Sequence, residues 1–332
     1  MKAIRFERFG PPDEVARCVD LPDPGAPGEG EALVAVEAFP INPVDQLTIA
    51  GAYAVRPPLP ATPGSEGVGR VLAAGAGAGG LAPGDRVLLL GRGTWAQRLK
   101  VKASELLKLP GEGDVPQFAM LKINPATARL MLSDFVALAP GDWVIQDAAN
   151  SGVGRLLIQL ARAEGVRTLN VVRRAELAPD LEAIGGDVVL VDGPDLAERV
   201  AEATGGAAIR LAIDAVAGET CNHLAQCLAE GGTIVNYGLL SGRACAIDPF
   251  QVVFRGITLT GFWLVKALGA RTVEARAALY GDLAARLASG ALRVPVEASY
   301  PIEAIGAALA HAARDARGGK ILVTPNGPPA AT

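Results

Sequence analysis

Histidine and cysteine are both scarce in this chain. Its 332 residues include two histidines, His223 and His311, and four cysteines, Cys18, Cys221, Cys227 and Cys245. A zinc site of three or four His and Cys ligands would need nearly the whole supply to converge, so no metal is expected. No CxxC pair occurs. Cysteine this sparse reads as reduced thiols and a cytoplasmic protein. Long apolar runs are missing too: none approaches the ~18 residues of a membrane span. The first eight residues mix charges with apolar side chains, unlike the core of a secretory signal, and alternate like a strand. A surplus of positive charge is also lacking. The formal net charge is −4, which argues against a broad surface for nucleic acid. Hydrophobic residues at 50% and charged residues at 20% are those of a globular chain, and the length predicts two domains.

The pattern changes near residue 120. Before it, short β-like runs at 2–6, 32–39, 67–74, 86–90 and 95–101 alternate with Pro/Gly turns. After it, apolar runs at 143–148, 168–173, 188–191, 211–216, 233–237 and 257–263 alternate with amphipathic stretches. That alternation predicts a doubly wound parallel sheet with helices on both faces. A long helical pattern at 272–289 is followed by strand-like runs at 294–300 and 320–323. We therefore expect an α/β chain in which a nucleotide-type domain, 122–267, is inserted into a β-rich domain made of 1–121 and 268–332.

The strongest local signal is the turn Ala148-Ala149-Asn150-Ser151-Gly152-Val153-Gly154, between an apolar run and a helix. Backbone N–H groups at such a helix start can face a pyrophosphate. In GxGxxG register the three positions are Ala149, Ser151 and Gly154. The pattern alone fits an ordinary small-residue turn equally well, and the repeated βαβ context favours dinucleotide binding. An NAD site wants a carboxylate about 20 residues on. Here the residue nineteen positions after Gly154 is Arg173, followed by Arg174. Guanidinium groups suit a 2′-phosphate, which makes NADPH the expected cofactor. The alternative is a solvated arginine pair at a strand end.

With these residues in place, the chain resembles the medium-chain dehydrogenase/reductase superfamily nearly end to end. The resemblance implies a GroES-like β domain carrying an inserted Rossmann domain. The Gly-His-Glu motif of the zinc members reads Gly64-Ser65-Glu66 here, and their first catalytic Cys falls near Asn42. Among zinc-free members, Asn42-Pro43-Val44-Asp45 resembles quinone oxidoreductases. A denser set resembles the 2-enoyl thioester reductases: Ile123-Asn124-Pro125-Ala126-Thr127-Ala128, the Asn150–Gly154 turn, Leu169-Asn170-Val171-Val172-Arg173, and Gly261-Phe262-Trp263-Leu264.

That resemblance implies NADPH-dependent reduction of a trans-2-enoyl thioester, carried on CoA or acyl carrier protein. NADPH:quinone reduction is the alternative, and a non-catalytic nucleotide-binding relative a further one. It implies Tyr53 as the catalytic residue. Apart from the resemblance, Tyr53 reads as a rim tyrosine packing on loop 56–60. Implied cofactor contacts are Asn42, Asn124, Thr127, Asn150, Ser151, Gly152, Val153, Arg173 and Arg174. Others are Tyr237, Gly238, Leu239, Leu240, Phe262, Trp263, Leu264, Val265 and Lys320. Ala175, where the family has a further arginine, leaves the 2′-phosphate to Arg173 and Arg174. Leu239 replaces a family glycine and narrows the pocket. Glu66 reads as a structural carboxylate, Asp45 as turn chemistry, and Cys221 and Cys227 as core or rim positions. A homodimer through the apolar strand 257–263 is expected.

Overall fold

The computed structural model describes every residue except Glu112, Ala316 and residues 329–332. It divides into two compact units, Met1–Ile123 with Glu274–Thr332, and Asn124–Val273.

In the first unit β1 (Lys2–Arg5) and β2 (Arg17–Asp20) form an antiparallel pair. The main sheet starts with β3 (Glu31–Pro40), in which Ala32, Val34, Val36 and Ala38 are buried. Their alternation with Glu31, Leu33, Ala35 and Glu37 is the period of two that turns one face of a strand to a core. β3 pairs with β4 (Val68–Ala74), β4 with β5 (Arg86–Leu89), and β6 (Arg98–Lys102) with β3, while β7 (Leu106–Lys108) lies beside β5. The run at 95–101 becomes a strand only from Arg98, because Ala96 bridges to Ala3 instead. In the core, Phe39 stacks on Trp95 with ring centroids 5.2 Å apart.

The second unit holds β8 (Trp143–Gln146), β9 (Arg167–Val172), β10 (Val188–Val191), β11 (Leu211–Asp214), β12 (Thr233–Asn236) and β13 (Thr258–Gly261). All five pairings are parallel, in the order β10-β9-β8-β11-β12-β13. This is the doubly wound order of dinucleotide-binding sheets, with its switch point between β8 and β11. Trp143, Ile145, Leu169, Val171 and Ile234 pack with helix residues Leu196, Cys221 and Leu224 in its core. Strand β13 is shorter than its apolar run. Phe262 N–H still reaches Asn236 O at 2.8 Å, and the chain then turns into a helix, Leu264–Gly269. Leu264 and Val265 lie on that helix, just past the expected strand. Two further strands, β14 (Val296–Pro301) and β15 (Lys320–Thr324), return to the first unit, where β15 pairs with β3. Among the described residues, no helix is long and apolar enough to cross a membrane.

Candidate active site

In the second unit the expected cofactor residues gather at the carboxyl ends of the parallel strands. The turn after β8 enters a helix, Gly152–Ala163, capped by Ser151, whose Oγ accepts from Gly154 N–H at 3.1 Å. One early N–H is thus satisfied within the chain, and the positive pole of the helix stays available to an anion. Ala148 takes a left-handed φ of +43°, which tightens the turn. Gly154 permits the close approach: a Cβ there would lie 2.6 Å from Ala149 O. From β12, Tyr237 reaches hydrogen-bond distance of Ser151, and burial pushes its phenol well above the ordinary range. Gly238 packs directly on the end of β11, where a Cβ would meet Ala215 O at 2.6 Å. Asn150 is half-buried, and Leu239 and Leu240 are exposed.

Asn124 and Thr127 are buried at the start of helix Asn124–Ser133, and the Asn124 Nδ2 group has no hydrogen-bond partner. An orphaned buried amide is costly unless a ligand completes it. Together with the Gly154 cradle, it shows that these residues fit a dinucleotide. Arg173 and Arg174 stand exposed just past β9, with Arg174 Nε 3.3 Å from Glu176. Phe262 sits edge-on to Phe135, and Trp263 is exposed.

A cavity of about 320 Å³ opens beyond β10 and β11, lined in part by Asp192, Gly218, Thr220, His223 and Ser241. Asp192 accepts from Thr220 Oγ1 at 2.6 Å and pairs with His223 Nδ1 at 2.8 Å. The sequence reading missed these three residues. The available signal was a carboxylate immediately after the third apolar run, at the strand end where ligands bind in open α/β sheets.

The first unit carries Tyr53 and a buried polar network. Helix Pro43–Ala50 starts after Asn42 and ends at Gly51, and Tyr53 N–H then bonds back to Leu47 O at 3.1 Å. The half-buried Tyr53 ring lies under the Arg92 guanidinium, 5.5 Å from its centroid. Asn42 and Tyr53 thus sit at opposite ends of the helix, ~12 Å apart along its axis.

At the Asn42 end every polar group is engaged. Asn42 Nδ2 donates to Glu66 Oε1 at 2.7 Å, and Lys320 Nζ donates to Asn42 Oδ1. Glu66 Oε2 accepts from Ile123 N–H at 2.9 Å. Asp45 accepts from Asn42 N–H at 2.9 Å and from Ser65 Oγ at 2.6 Å. Lys122 Nζ donates to the carbonyls of Ser65 and Gly91. Burial pushes Asp45 up to about 6 and the Glu66 carboxyl above its usual range. It likewise pulls Lys320 down to about 8 and lowers Lys122. Asn42 and Ser65, the positions of zinc ligands in the resembling enzymes, are here tied to carboxylates and a lysine of the chain itself.

Two family models match this chain: an alcohol dehydrogenase GroES-like domain over residues 28–111 and a zinc-binding dehydrogenase domain over 152–279. A mitochondrial enoyl-[acyl-carrier-protein] reductase of Xenopus tropicalis is 33% identical over 93% of this chain and 91% of its own. The chain belongs to the medium-chain dehydrogenase/reductase superfamily. A second relative of this superfamily, the mitochondrial enoyl-[acyl-carrier-protein] reductase of Arabidopsis thaliana, is 39% identical over 79% of this chain and 72% of its own. A mycobacterial quinone oxidoreductase superposes with a TM-score of 0.84 at 31% identity, covering 98% of this chain and 100% of its own. The GroES-like domain and the parallel Rossmann sheet are those the resemblance implied. The cytoplasmic expectation is corrected, because both curated relatives are mitochondrial proteins. Sparse free cysteines do not distinguish one reducing compartment from another.

Proposed function

We propose that this dehydrogenase/reductase is an NADPH-dependent enoyl thioester reductase, an oxidoreductase that saturates the C2=C3 bond of a trans-2-enoyl-CoA or enoyl-acyl carrier protein. The observation that carries the reading is the similarity to the Xenopus enoyl reductase, which spans both units. In this reading Asn124–Val273 binds NADPH and Tyr53 is the acid–base group. The Ser151-capped helix start takes the pyrophosphate, Arg173 and Arg174 take the 2′-phosphate, and the cavity beside Asp192 takes the adenosine end. The Asn124 amide completes its hydrogen bonding on the cofactor.

Bound NADPH supplies a hydride to the β-carbon of the substrate. Negative charge then develops on the thioester oxygen. Tyr53, fixed by its bond to Leu47 O and by Arg92 over its ring, donates its hydroxyl to that oxygen or passes a proton to the α-carbon. No metal takes part. Asn42 and Lys320 act in this scheme mainly through the network behind the Tyr53 helix.

The quinone reductase reading keeps one specific support, the mycobacterial quinone oxidoreductase with the same fold. NADPH oxidation assayed with crotonyl-CoA beside 1,4-benzoquinone separates the two. Turnover of crotonyl-CoA supports the enoyl reading, and turnover of benzoquinone alone overturns it.

A homodimer is part of the proposal. β13 is the open edge of its sheet, and Phe250, Phe254, Leu259 and Trp263 around it are exposed. An apolar edge of this kind aggregates unless paired, and a two-fold axis pairs it with its own copy. Light scattering at micromolar concentration should give the dimer mass; a monomer would contradict it.

A further inference from the structure

The second unit contains a cluster of metal-ligating groups that the reduction chemistry does not use. Asp214, at the end of β11, Cys221, on helix Thr220–Cys227, and Cys245, beyond β12, each bring a ligand atom within 4.8 Å of the others. Asp214 and Cys221 are fully buried and Cys245 is half-buried, which leaves a way in from solvent. Cys245 Sγ lies 3.9 Å from Asp214 Oδ2. Asp147 is buried beside Asp214, and its Oδ2 has no partner.

We propose that Cys221, Cys245 and Asp214 are the protein ligands of a structural site for one zinc-class divalent cation, with solvent as the fourth donor. Two sulfur donors and one carboxylate, completed by solvent, suit a borderline-soft tetrahedral ion. Bonds of ~2.3 Å to sulfur and ~2.0 Å to oxygen place such donors ~3.3–3.8 Å apart, so a contraction of about 1 Å closes the site. The supporting shell is already built. Asp214 Oδ1 accepts from the Val216 and Ala217 N–H groups at 2.9 and 2.7 Å, and Oδ2 from Asn236 Nδ2 at 2.9 Å. Such second-layer hydrogen bonds hold a carboxylate in ligating orientation. A thiol must lose its proton to ligate an ion. Binding releases those protons to solvent, and nothing is oxidised or reduced. The ion would pin helix Thr220–Cys227 and the segment bearing Cys245 to the end of β11. Lying 24 positions apart, the two cysteines show no ligand spacing in the sequence.

The test titrates reduced, metal-stripped, full-length protein with Zn2+ by calorimetry and with Co2+ by absorption. One equivalent should bind, and cobalt should give a thiolate charge-transfer band in the near ultraviolet. Cys245→Ser should weaken binding at least tenfold, the Cys221→Ser/Cys245→Ser double variant should abolish the band, and Cys227→Ser should change neither. Absence of the band in the unmodified protein overturns the proposal. Zinc binding that survives the double variant also overturns it, by placing the ion on other groups. If Cys221→Ser does not fold, the unmodified protein and Cys245→Ser decide alone.

Discussion

Lys320 hydrogen-bonds Asn42 across 278 residues of sequence, and through the Asn42 amide it is linked to the buried carboxylate of Glu66. A side chain's ammonium thus stands beside the positions that hold zinc in the resembling dehydrogenases. Lys320→Met leaves Glu66 and Asp45 without that cation. Removing one partner of a buried ionic group typically costs ~3–5 kcal/mol. Urea unfolding should show a loss of that order. Adding Glu66→Gln should recover part of it, because the stranded carboxylate is gone. Full additivity of the two losses would show that the groups are not coupled.

Asp45 gives the network a pH signature. Burial holds its carboxyl up to about 6 against an ordinary value of 3.8. The folded chain therefore binds this proton more tightly than the unfolded chain. Stability from this group is present below pH ~4 and declines as pH rises to ~6, by at most ~3 kcal/mol. Asp45→Asn should flatten that part of the stability–pH profile in urea melts at pH 4, 5, 6 and 7. An unchanged slope would remove Asp45 from the account.

Tyr53→Phe keeps the ring under Arg92 and deletes only the hydroxyl. Loss of one donor to a developing oxyanion typically costs ~10²–10³ in kcat. Crotonyl-CoA turnover should fall by about that factor, with the NADPH dissociation constant unchanged within a few-fold. A quinone collects its proton from water, so any benzoquinone turnover should hardly change. Undiminished crotonyl-CoA turnover would demote Tyr53 to a rim residue.

Arg173→Ala with Arg174→Ala should weaken NADPH and leave NADH nearly unaffected. Two charge-assisted contacts to a 2′-phosphate are lost, and NADH has no such group to lose. Fluorescence titration with both cofactors measures this. Equal weakening of the two would place the arginines away from the phosphate.

Turnover should survive chelation. The Asn42 and Ser65 side chains are committed to Glu66, Lys320 and Asp45, so no metal is needed where the reduction occurs. Activity that disappears with chelator and returns with zinc, while the urea-unfolding midpoint stays unchanged, would contradict this.

The six strands of the parallel sheet were legible in the sequence, each to within a few residues, because each is an apolar run between amphipathic helices. Period alone reveals such elements. The small-residue turn after β8 and the place of the arginine pair just past β9 were also legible, since both depend on neighbours along the chain. Helix Asn124–Ser133 was not, because it is buried almost all round and shows no polar face. Helix Leu264–Gly269 was hidden for a related reason: its apolar start reads as more of the strand before it. A charged or sulfur-bearing side chain looks the same in sequence whether it is solvated or buried. What engages it is settled by long-range closure of the chain, as when β15 docks on β3 and brings Lys320 to Asn42, or when β8 and β11 align Asp147 with Asp214. The sequence by itself determined the order of elements and the chemistry of the local turns. Tertiary structure decided which distant polar groups share a dry interior, because only there does desolvation force each to find a partner.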